Sequence, residues 1–60
     1  MTDRQQKFAD EYIIDCNASR AYKAAYPGVK KDSVAGAAGA RLLKNVRIKA
    51  YIEEKLAEIS

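Results

Sequence analysis

Histidine and tryptophan are absent from this chain, cysteine, proline and methionine occur once each, and glycine three times in 60 residues. Without histidine the usual zinc ligand sets and imidazole acid/base sites are missing, and one cysteine cannot build a disulfide framework. Cys16 is therefore expected to be a reduced, small apolar residue. No apolar run approaches the roughly 18 to 20 residues that span a bilayer, and the first residues lack the apolar stretch of a signal peptide. The chain is expected to be soluble and intracellular, with no membrane partner. Its length restricts it to one domain, because a chain this short buries only about 60% of the surface that its unfolded form exposes. A deep substrate cleft does not fit. The three glycines stand singly and form no phosphate-cradling loop, and the carboxylates Asp10, Glu11, Glu53 and Glu54 are expected on solvated helix faces. An enzyme is not expected, nor a cofactor.

What is present is alanine and unevenly distributed charge. Eleven alanines and few β-branched runs favour helix throughout. The net charge of +3 conceals a segregation: residues 1–19 carry two basic against four acidic side chains, and residues 50–60 one against three. Residues 20–49 carry eight against Asp32 alone. A basic centre between acidic ends suits a polyanion, of which nucleic acid is the commonest; a solvated lysine-rich surface is the alternative.

Apolar spacing predicts four helices. Thr2 and Gln5 form a capping box for a helix from about Asp3 to Ile14 or Asp15, whose inner face is Phe8, Ala9, Tyr12, Ile13 and Cys16. Asn17 caps a second, from Ala18 to about Ala25, with Ala18, Ala21, Tyr22 and Ala25 inward. Tyr26-Pro27-Gly28 breaks it. The third begins between Lys30 and Ser33, with Asp32 and Ser33 as cap residues, and runs to about Lys44. At about 100° per residue Val34, Ala35, Ala38, Gly39 and Leu42 share the arc expected to be buried. The opposite arc carries Ser33, Ala37, Ala40 and Lys44, flanked by Lys30 and Arg41. Asn45 caps the fourth helix, from about Val46 to Glu58, which presents Ile48, Ile52, Leu56 and Ile59 with Tyr51 alongside.

Gly36 and Gly39 each cost about 1 kcal/mol against alanine inside a helix, so each needs a close neighbour, either another helix or a nucleic acid.

Helix, turn and longer basic helix make a helix-turn-helix arrangement, in which the later helix enters the major groove. Ser33, Ala37 and Ala40 are small enough to let that helix approach base edges. Arg41 is the best placed for a bidentate contact to guanine. Lys30, Lys31 and Lys44 are assigned to phosphates, joined by Arg20, Lys23 and Arg47 from the flanking segments. Each has a rival role: Arg41 could instead pair with a carboxylate of the first helix, and Lys44 meets a helix C-terminus favourably without any ligand. Tyr12, Tyr22, Tyr26 and Tyr51 suit packing better than base stacking.

Four blocks then stand in a recognisable order: Gln-Gln-Lys-Phe-Ala-Asp-Glu-Tyr at 5–12, Asn-Ala-Ser-Arg-Ala-Tyr at 17–22, Ala-Tyr-Pro at 25–27, and Ala-Arg-Leu-Leu-Lys-Asn-Val at 40–46 followed by Ala-Tyr-Ile at 50–52. Together they resemble the N-terminal domain of the small subunit of tailed-bacteriophage terminases. The resemblance implies an all-α bundle of four short helices with a helix-turn-helix, a single DNA-binding domain over residues 1–60 that is the N-terminal part of a longer protein. It implies binding to double-stranded viral DNA at the packaging-initiation site, in the cytoplasm of the bacterial host. The DNA is handed to a large subunit with ATPase and nuclease activities, and residues 31–44 form the DNA-facing helix. It further implies a homo-oligomeric ring built by a region after this domain, the domain alone being monomeric. A transcription regulator's helix-turn-helix domain, or a helical interaction module with a basic face, remains open on the residues themselves.

Overall fold

The computed structural model describes residues 1–59. Four helices follow one another: α1 (Asp3–Asp15), α2 (Ala18–Ala25), α3 (Asp32–Leu43) and α4 (Val46–Ile59). Local chemistry sets most of their ends. The Thr2 hydroxyl accepts from the Gln5 N–H while the Gln5 side chain accepts from the Thr2 N–H, each at 3.1 Å, so the capping box is complete. The Asn17 side chain accepts from the Arg20 N–H at 3.1 Å, and Asn45 accepts from Arg47 and Ile48 at 2.9 and 3.3 Å. The start of α3 departs from expectation: Lys31 is the N-cap, without a side-chain bond, and Asp32 and Ser33 lie within the first turn. Asp32 instead pairs with Lys23.

The turn between α2 and α3 closes through the Val29 N–H on the Tyr26 carbonyl at 3.0 Å. Pro27 supplies its fixed φ at the second position. Gly28 stays at negative φ, so the turn does not draw on glycine's freedom. Among the described residues Cys16 alone takes a positive φ, 56°, and it ends α1 with its N–H on the Tyr12 carbonyl. It is exposed rather than on the inner face, because the chain has left the helix by that point.

The core is small and aromatic at its centre. Phe8, Ala9, Ala21, Ala25, Ile48 and Ile52 form one buried cluster, with Tyr12, Ile13, Tyr22, Tyr26, Leu42 and Tyr51 packed around it. The Phe8 ring lies 6.1 Å from Tyr12 and 6.3 Å from Tyr22, edge-on to the latter, and Tyr22 stacks on Tyr26 at 4.3 Å. Three of the four tyrosines thus belong to one packed group. The fourth, Tyr51, donates its hydroxyl to Asp10 and joins α4 to α1. That bond lifts the Tyr51 phenol above its usual range, because the neutral form is the donor.

Helix α2 packs on α1 on one side and on α3 on the other, while α4 returns against α1 and touches α3 lightly. The α2–α3 contact is close because side chains are missing there. A Cβ added at Gly39 would stand 3.0 Å from the Ala18 carbonyl oxygen and 3.2 Å from its Cβ, and one at Gly36 would stand 3.0 Å from the Ser19 hydroxyl. Both glycines therefore face a neighbouring helix. Ile48 and Ile52 are buried as expected, but Leu56 is 38% and Ile59 72% exposed, since α4 runs on past the helices that cover it.

Candidate nucleic-acid interface

The outward surface of α3 follows from how little of the helix is covered. With α2 as its main neighbour, only Ala35 and Gly39 are buried, with Gly36, Ala38, Leu42 and Leu43 at the edges. Ser33, Ala37, Ala40, Arg41 and Lys44 are exposed, as the spacing predicts. Val34 is not on the buried arc. It is 50% exposed. A second thick neighbour would have covered it, but the close α2 contact turns the inner face toward Gly39 and leaves Val34 on Arg41's side of the helix. Ser33, Val34, Ala37, Ala38 and Arg41 line a shallow depression of about 420 Å³ on this surface.

The predicted basic residues separate into two groups. Arg20 is paired within the chain, at the half-exposed corner between α1 and α2: its Nε and one terminal nitrogen donate to Asp15, and its other N–H groups reach the Glu11 carboxylate at 2.8 Å and the Glu11 carbonyl at 2.7 Å. Four of the five guanidinium N–H groups are thus engaged. This pairing holds the Asp15 carboxyl below its ordinary range and raises the Arg20 guanidinium further. Lys23 pairs with Asp32 across the turn and ties α2 to the start of α3.

Lys30, Lys31, Arg41, Lys44 and Arg47 are exposed and make no ion pair among the described residues. Arg41 does not fold back onto a carboxylate of α1. Lys30 and Lys31 precede α3 and Lys44 and Arg47 follow it, so unpaired positive charge brackets the exposed small-residue surface at both ends. The one acidic residue of α3, Asp32 in its first turn, is paired with Lys23, and Asp3, Asp10 and Glu11 surround a separate shallow depression on α1. Apolar spacing places Val34 inward and so misses it as a site residue, although its position two turns before Arg41 sets the two about 20° apart around the helix.

Among the described residues there is no cluster of three or more metal-ligating side chains, and no helix is long and apolar enough to cross a membrane.

The α2–turn–α3 arrangement is compatible with a helix-turn-helix. A curated relative, the terminase small subunit of Staphylococcus phage 80alpha, is 42% identical over 61 residues. The match covers 98% of this chain but 39% of that protein, so the chain spans about two fifths of the relative's length. No solved structure matches at a significant level. The sequence fits the terminase small subunit family over residues 1–60, and the chain belongs to that family.

Proposed function

We propose that this domain binds double-stranded viral DNA at the packaging-initiation site, as the DNA-recognition part of a terminase small subunit. It delivers the DNA to a large subunit that carries the ATPase and nuclease activities, and takes no catalytic part itself. The domain alone is monomeric, and the whole protein forms a homo-oligomeric ring in the host cytoplasm. One observation carries the DNA-binding reading: the outward side of α3 has small side chains, with five unpaired cations on or beside it, in a helix-turn-helix order. Arg41 contacts a guanine edge, Ser33 and Ala37 admit the helix to the groove, and Lys30, Lys31, Lys44 and Arg47 hold phosphates. Arg20 and Lys23 contribute by holding the helices that present this surface.

The division of the cations is measurable. Affinity for a labelled duplex, followed by anisotropy across a salt series, falls with a log–log slope of about −0.9 per phosphate neutralised. The four phosphate contacts give about −3.6, and adding Arg20 and Lys23 as phosphate contacts would give about −5.4. Salt-dependent binding near the smaller value is expected. No duplex binding at low salt overturns the reading and leaves a protein-interaction module.

A further inference from the structure

Val34 is the one outward-facing residue of α3 that the fold does not explain. A β-branched side chain is a poorer helix former than alanine, and at 50% exposure it gains little from burial. Ile14 and Val46 are also exposed, but neither lines a depression with an unpaired arginine. Val34 does, together with Ser33, Ala37 and Arg41. It is also the third residue of α3, in the N-terminal part that meets base edges when a recognition helix enters the major groove.

Resting on the DNA-binding reading above, we propose that Val34 is a specificity-determining residue that packs against the C5-methyl group of a thymine, a few base pairs from the guanine contacted by Arg41. Thymine alone among the four bases presents a methyl group in the major groove, and an apolar, charge-free side chain is what such a group selects. Valine suits the task because its branched Cβ holds χ1 in one rotamer in a helix, so its methyl groups are already in place. The cations around the depression supply the attraction to the duplex, and Val34 discriminates between sequences. Seven residues of helix separate it from Arg41, about 10.5 Å, or roughly three base pairs at about 3.4 Å each. The preferred site therefore holds a thymine about two to four base pairs from a guanine.

The test begins by selecting a preferred duplex from a randomised pool. Each thymine of that duplex is then replaced in turn by deoxyuridine, which removes only the methyl group. Affinities of wild type, Val34→Ala and Val34→Thr are compared at one salt concentration. Wild type is expected to lose about fourfold at one thymine, the equivalent of one methyl group returned to water. Val34→Ala should bind the parent duplex about fourfold more weakly, lose nothing further on the deoxyuridine duplex, and keep its helical circular dichroism and salt slope. Val34→Thr, which keeps the branched shape with one methyl group, should fall between them and carries the test if the alanine variant unfolds. The proposal is overturned by a pool without consensus, by deoxyuridine duplexes that all bind like the parent, or by a methyl-dependent loss that Val34→Ala retains. In those cases salt-dependent binding survives and the DNA-binding reading stands; absence of any duplex binding removes both.

Discussion

At the corner between α1 and α2, Arg20 commits four of its five N–H groups to Glu11 and Asp15, whereas Arg41 on the outer surface of α3 has no side-chain partner among the described residues. Both belong to the same basic stretch of sequence. The difference lies in what the fold brings within reach: α1 turns sharply at Cys16 and returns its acidic last turn to Arg20, while among the described residues no carboxylate pairs with Arg41. A charge that is already satisfied stabilises the fold, and one left unsatisfied is available to a partner. Counting basic residues along the chain cannot separate the two.

The largest expected effects come from removing each arginine. Arg41→Ala should leave thermal stability unchanged while weakening binding to a selected duplex by about 1–3 kcal/mol, with a smaller loss on a scrambled one. Arg20→Ala should do the reverse, lowering the melting temperature because Glu11 is left half-buried without its partner, while the folded fraction keeps the wild-type salt slope. If both variants lost affinity with equal slopes and neither lost stability, the division between inner and outer cations would collapse.

A smaller contrast lies within α3 itself. At Gly39 a methyl group would press on backbone of α2, so Gly39→Ala is expected to destabilise by about 1–2 kcal/mol after its helix-propensity gain is counted. At Gly36 the obstacle is the Ser19 hydroxyl, which can rotate, so Gly36→Ala should fall within about 0.5 kcal/mol of wild type or be more stable. Urea denaturation of the two variants measures the pair. A Gly39→Ala protein as stable as wild type would mean that α2 and α3 separate without cost.

The smallest effect is the pH response of the inner pair. Asp15 has its carboxyl lowered in the folded protein, so its contribution is present above its unfolded value of about 3.8 and is lost as pH falls through the lower native value. Asp15→Asn should flatten the acid limb of stability below about pH 4 and leave the neutral plateau slightly lower. The Tyr51 phenol has the opposite sign. Its bond to Asp10 helps below pH 10 and is lost as pH rises through the raised native value. An acid limb unchanged in Asp15→Asn would show that Arg20 does not depend on that carboxylate.

Much of the fold is legible in the order of residues alone. The capping box at Thr2, the caps at Asn17 and Asn45, and the extents of α1, α2 and α4 follow from local chemistry, which acts within a few residues. The features that escape such a reading are those set by contacts between helices. Val34 and Arg41 lie near the boundary of α3's inner face, and which side of that boundary they fall on depends on the close α2 contact at Gly39. The ion pairs of Arg20 and Lys23 are likewise hidden in the sequence, because their partners Glu11 and Asp32, each nine residues away on the adjoining helix, become neighbours only once the chain has turned. Cys16 continues α1's apolar spacing and so looks inward, although the helix ends before it. The outward placement of Ser33, Ala37 and Lys44 is legible because they occupy the middle of the exposed arc.

The seam between α2 and α3 also bears on how such a domain changes over time. At Gly39 the inner side of α3 admits no larger side chain without moving a neighbouring backbone. Positions 33, 34, 37 and 41 meet no such wall. Substitutions there leave the packing intact, so, with α3 as the proposed reading helix, a preference for a different stretch of genome could arise one outward residue at a time, without passing through an unfolded intermediate sequence.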